Sequence, residues 1–120
     1  MPTLEGGSAA DQTAVQTAIR TMRNRLQPLI TDPNLQQCIR NQAQSNNTIF
    51  IDDDGCYTYR LGYAERWSVG PFTGKSKDIH VCVNNHNSRG LPPGELENTL
   101  MHEWAHTCCW EHGGGKGVPA

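Results

Sequence analysis

Near its end the chain reads HEWAHTCCWEH, from His102 to His112. On a helix turning about 100° per residue, His106 lies about 40° round from His102 and Glu103 about 100°. Two imidazoles one turn apart can close on a single Zn²⁺ at about 2.0–2.1 Å. Glu103 stands too far round to ligate with them. Beside the metal it can instead take a proton from an activated water and pass it to a leaving amine. The spacing therefore predicts metal-assisted hydrolysis of an amide, with Glu103 as general base. Met101, Trp104, Ala105 and Cys108 fall on the opposite side, which leaves the helix a face for the core.

A catalytic zinc takes three protein ligands and keeps a fourth position for water or substrate. The expected third ligand is His112. In an unbroken helix it would lie about 240° from His106 and face away, so the helix must end near Cys109 and the chain must turn back. Glu111 is the alternative. Cys109 is about 10 Å along the axis from His102 and cannot close on the same ion unless the helix breaks first. Amide hydrolysis also develops an oxyanion that a donor can steady. Tyr57, Tyr59, Tyr63, His80, His86 and Arg89 are candidates, unranked among themselves, and His80 and His86 also suit structural roles.

HExxHxxCxxH resembles the extended zinc signature HExxHxxGxxH of the metzincin clan over these eleven residues. Cys109 replaces the glycine that makes the clan's turn, and a left-handed non-glycine residue costs on the order of 1 kcal/mol. The clan also has a methionine turn beneath its zinc, whereas GGGKGVPA after His112 holds no methionine. The resemblance implies a zincin metallopeptidase of α+β class. Its minimal upper subdomain would have two N-terminal helices, a small, mostly antiparallel sheet and a C-terminal zinc helix. It further implies that the strand before the zinc helix is a sheet edge binding extended substrate by β-addition. Here that strand is Ile79 to Asn84, with Ile79, His80, Val81 and Cys82 as substrate-binding residues. A compact domain of this kind with the tail HGGGKGVPA also resembles catalytic toxin modules of large bacterial secreted proteins. That implies a protein or peptide substrate and a cognate immunity or inhibitor protein. Two other readings stand beside it: a non-catalytic binding module with a structural zinc, and a zinc amidase acting on cell-wall peptides.

The elements that must position these residues are legible in part. Residues 1–10 are small, polar and glycine-bearing, and read as a disordered lead or linker, which leaves 11–120 as one catalytic domain. Val15, Ala18, Ile19, Met22 and Leu26 recur at three and four, one face of a helix that Pro28 bends or ends. Asp32 and Pro33 open a second helix carrying Leu35, Cys38, Ile39 and Gln42. TIFID followed by DDDG predicts a strand and a hairpin turn. CYTYRLGYAERWSV supplies one or two strands, PFTGKS a turn, and KDIHVCVNN the clearest strand. RGLPPGELEN then leads into the zinc helix, with Glu95 and Glu97 in its first turn.

A net charge of −2 over 120 residues gives no basic surface for nucleic acid, and no apolar run approaches the roughly 20 residues of a bilayer span. A soluble monomer without membrane insertion is expected. Five cysteines in so short a chain favour an oxidising destination outside the producing cytoplasm, although the first dozen residues lack a signal-peptide pattern. Cys56 and Cys82, on neighbouring strand candidates, are one expected disulfide. Cys38 and Cys108, each on a helix core face, are the other.

Overall fold

The computed structural model describes residues 1–69, 72–92 and 94–119, with residues 65–69 and 72–76 described by backbone alone. Strand β1 (Thr3–Gly6) opens the chain, followed by α1 (Ala9–Thr21). The opening segment is thus a strand rather than a linker. It is held because it pairs in parallel with β2 (Thr48–Ile51), Leu4 opposite Ile49. Ser8 then caps α1: its hydroxyl accepts from Asp11 N at 3.1 Å, and Asp11 Oδ2 accepts from Ser8 N at 3.3 Å. Two backbone donors that the first helical turn leaves unpaired are satisfied in this way.

The helical path continues past α1 through a wider turn at Met22–Leu26 and a tight one at Gln27–Leu29, where Pro28 bends the chain as expected. Helix α2 (Pro33–Gln44) starts at the predicted cap, Asp32 Oδ1 accepting from Leu35 N at 2.9 Å. The hairpin lies elsewhere than DDDG. Residues 52–61 form a loop, and the antiparallel pair is β3 (Gly62–Val69) with β4 (Phe72–Val81). Most of PFTGKS therefore lies in β4, while Gly70 and Pro71 fall outside the described residues. After β4 comes a short helix that the alternation of VCVNN concealed, α3 (Val83–Ser88), and then α4 (Gly94–Thr107), the predicted zinc helix.

The sheet order is β1-β2-β4-β3. Two of its pairings, β1 with β2 and β2 with β4, are parallel, and one is antiparallel, which corrects the expectation of a mostly antiparallel sheet. The reason is connectivity: α1 and α2 cross over between β1 and β2, and such a crossover returns the chain in the same direction. Ile49 and Ile51 stand opposite Ile79 and Val81 and share one face of the sheet. They are buried with Val15, Ile19 and Met22, with Ile39 of α2, and with Leu100, Met101 and Trp104 of α4. That alternation decides which way α4 faces, because its apolar side is taken up by the core.

The opposite face carries Phe50, His80 and Tyr63 in adjacent register, with centroids 4.9 Å (Phe50 to His80) and 3.9 Å (Tyr63 to His80) apart. Asp53 caps the stack: Tyr63 Oη donates to Oδ1 at 2.8 Å and His80 Nδ1 donates to Oδ2. Both expected disulfides are present. Cys56–Cys82 holds the 52–61 loop against the strand end, and Cys38–Cys108 ties α2 to the end of α4.

Two outcomes follow from these constraints. Cys38–Cys108 closes a span of 70 residues, and loop-closure entropy assigns it about 4 kcal/mol. The double variant Cys38→Ser, Cys108→Ser should lose roughly that much in urea unfolding; a loss below about 1 kcal/mol would show that α4 is held without it. Burial tends to raise Asp53, but the hydrogen bonds from Tyr63 and His80 together outweigh it and hold the carboxyl below its ordinary 3.8. A depressed folded value means that the unfolded chain takes up the proton first. Asp53 therefore contributes its full stability above the ordinary value and loses it as pH falls through the folded one. Asp53→Asn should flatten the acid-side decline of stability below about pH 4; an unchanged slope would refute the assignment.

Candidate metal centre

Helix α4 ends where convergence of the three histidines requires it to end. Trp110 N donates to Ala105 O at 3.0 Å and Cys109 N to His106 O at 3.1 Å, the paired bonds that close a helix through a left-handed residue. That residue is Cys109, at φ 67°. The turn expected of glycine is made by cysteine, and the chain reverses so that His112 meets His102 and His106.

The three Nε2 atoms then converge. His102 to His112 is 3.0 Å, His106 to His102 is 3.1 Å and His106 to His112 is 3.1 Å. Three nitrogens bound to one zinc at about 2.0–2.1 Å with tetrahedral angles would be about 3.3 Å apart, so the triangle needs only a slight opening. Protonation argues the same way. His102 Nδ1 lies 2.8 Å from Pro119 O, and His106 Nδ1 lies 2.9 Å from Trp110 O. A carbonyl only accepts, so in the neutral rings both Nδ1 atoms carry the proton and both Nε2 atoms present bare lone pairs to each other. A cation at the centre of the triangle removes that repulsion. The carbonyl bonds also fix the rings in the tautomer and orientation that ligation requires. Among the described residues the converging set is His102, His106 and His112, and the group could hold a metal ion; Glu111 and Cys109 are not part of it.

Neither supporting carbonyl is visible in a motif. Pro119 O is brought in because the tail docks: Lys116 O accepts from Thr31 N at 3.0 Å, and Lys116 Nζ pairs with Asp32 at 3.3 Å. Gly117 passes so close to Leu29 that an added Cβ would stand 2.4 Å from Leu29 O. Beneath the histidines lies Trp110, buried, its ring centroid 5.3, 5.4 and 6.0 Å from those of His102, His106 and His112. Its Nε1 donates to Gly115 O at 3.1 Å. An indole thus forms the floor that the resemblance assigned to a methionine. The only sequence signal was an aromatic residue between Cys109 and His112.

Glu103 is 7% exposed, and desolvation pushes it up to about 7 against the opposing field of Arg60, a cation the sequence reading did not single out. It sits in a cleft of about 240 Å³ with Leu61, Gly62, Thr99, His102 and His112. Gly62 is what lets α4 approach the sheet: a Cβ there would lie 2.8 Å from His80 O and 3.2 Å from Glu103 Cγ.

None of the six oxyanion candidates lines this cleft. Tyr57 and Tyr59 are exposed on the loop, Tyr63 and His80 bond to Asp53, His86 is bonded to Thr99 Oγ1 at 3.1 Å, and Arg89 reaches Tyr59 O. The expected substrate strand is corrected as well. Ile79, His80 and Val81 are paired on both sides, to β2 and to β3, and are buried, while Cys82 is closed in a disulfide, so β4 is no edge. The edge beside the cleft is β3, which a sequence pattern cannot distinguish from β4 because both alternate.

No protein-family model, no curated protein and no solved structure matches the chain. The site is therefore read from its own geometry. One metal ion per chain is the expected stoichiometry, and His112→Ala should weaken the affinity for added Zn²⁺ about tenfold or more by losing one of three nitrogens. Equal affinities in a competitive chelator titration would move the third ligand elsewhere.

Proposed function

We propose that this chain is a zinc-dependent peptide hydrolase with a minimal zincin-like arrangement. The observation that carries the reading is the convergence of three imidazole nitrogens beside a buried glutamate, with His102, His112 and Glu103 lining one cleft. An all-nitrogen set of this size suits zinc, and three protein ligands leave the open position that catalytic sites keep and structural sites fill. When bound, zinc would supply Lewis-acid polarisation of a substrate carbonyl and a lowered pKa for an attacking water.

The chain's own residues supply the rest. Pro119 O and Trp110 O hold the His102 and His106 rings, and Trp110 excludes water from beneath them. Glu103, desolvated between α4 and Gly62, takes a proton from the attacking water and returns it to the departing nitrogen. Strand β3 is outermost in the sheet and its start at Gly62 lines the cleft, so an extended peptide can align along it, the role expected of β4. Two disulfides fit an oxidising compartment, and we place the protein outside the producing cytoplasm.

The test is cleavage of a quenched peptide pool by the zinc-loaded protein beside Glu103→Ala. Loss of a general base typically costs about 10²–10⁴ in rate. The variant should lose that much while holding zinc within about twofold, since Glu103 is not a ligand. Full activity of the variant would sink the mechanism, and an inert wild type would sink the reading.

A further inference from the structure

The cleft over Glu103 does not stop at the metal ligands. Glu95 and Asn98, further back along α4, line it too, and both also line a second hollow of about 560 Å³ beside Leu26, Leu29 and Pro92. The two hollows share these residues and form one groove with Glu95 at the junction. Glu95 is seven residues before His102, about 10 Å along the helix axis. That is about three residues of extended peptide, so a chain lying in the groove with its reacting carbonyl at the histidines passes Glu95.

Glu95 is half-buried. Its side chain makes no ion pair among the described residues, and its hydrogen-bonding neighbour is Asn98 Nδ2, at 3.5 Å from Oε1. The neighbouring basic groups make no ion pair with it. His86 senses the Glu95 charge, but burial disfavours its protonated form and it is bonded to Thr99; the Arg60 guanidinium lies over Tyr57 and Tyr63 and donates to Gly55 O; and Arg25, which also lines the second hollow, is exposed. Glu97 adds a second carboxylate to the farther hollow. The full charge of Glu95 outweighs the roughly half charge of the nearby helix N-terminus. Beyond it Leu29 is 63% exposed, an apolar surface along the same path.

We infer that Glu95 is a specificity-determining residue of this groove, which selects peptides carrying a cationic group about three residues from the reacting carbonyl. The inference rests on the peptidase reading for the position of that carbonyl. The cation is a lysine or arginine side chain, or the amino terminus of a short peptide.

Binding and cleavage are measured separately. Peptide hydroxamates, which anchor to the metal, carry lysine, norleucine or glutamate at successive positions and are titrated calorimetrically into the zinc-loaded protein; matching amide peptides are assayed for kcat/KM. Lysine should bind tighter than norleucine by roughly fivefold or more at one position, a half-buried pair exceeding an exposed one. Glu95→Gln should abolish that ratio, and Glu95→Lys should turn it toward glutamate. Acetylating the amino terminus identifies the source: a preference that survives belongs to the side chain, one that vanishes to the terminus. Equal binding of lysine and norleucine, or a preference unchanged in Glu95→Gln, overturns the inference even if peptides are cleaved. A Glu95-dependent preference without any cleavage upholds it and overturns the hydrolase reading instead.

Discussion

The convergence of the three histidines depends on one left-handed residue. A helix that ran on past Thr107 would carry His112 to the far side of α4, leaving two histidines and no third nitrogen. The turn at Cys109 reverses the chain within three residues and closes the Nε2 triangle to 3.0–3.1 Å. A β-carbon at that conformation is strained by about 1 kcal/mol, and the two backbone bonds that end the helix offset it. The side chain is exposed, so it meets no steric obstacle beyond its own backbone. Glycine is the easier solution to the same constraint but not a necessary one.

The turn alone would leave the histidines loosely held. Imidazoles rotate, and a ligand set is selective only when its rings are fixed before the ion arrives. Here the fixing groups are main-chain carbonyls, Trp110 O from the turn itself and Pro119 O from the docked tail. The tail is anchored by Lys116 on Asp32, the residue that also caps α2, and α2 is joined to α4 by Cys38–Cys108. Helix cap, disulfide and tail therefore form a closed ring of constraints around the end of α4.

The sheet performs a different task. Because β1, β2 and the end of β4 run parallel, the chain must come back through the β3–β4 hairpin, and this puts β3 outermost, next to α4. Gly62 at its start permits the close approach that buries Glu103. Desolvation favours the protonated acid, which is what raises Glu103 towards neutrality.

The one-dimensional order of residues was enough for whatever depends on local periodicity. His102, Glu103 and His106 share a helix face because helical geometry puts them there, Asp32 caps α2 because its side chain reaches its own helix, and the core faces of α1 and α4 follow from apolar spacing. The requirement that the helix break before His112 was legible too, since no straight helix satisfies it. Both cysteine pairings could be read from faces and neighbouring elements. What stayed hidden were relations between segments distant along the chain. β1 looked like a linker because a four-residue strand without a local partner carries almost no signal, and only β2, more than forty residues on, makes it one. The parallel pairings, the inner place of β4, the carbonyl of Pro119 and the indole floor under the histidines likewise depend on which surfaces meet. Backbone groups are identical in every residue, so a sequence does not mark the carbonyl that will hold a ring; only the packing of the tail against the α1–α2 connection decides it.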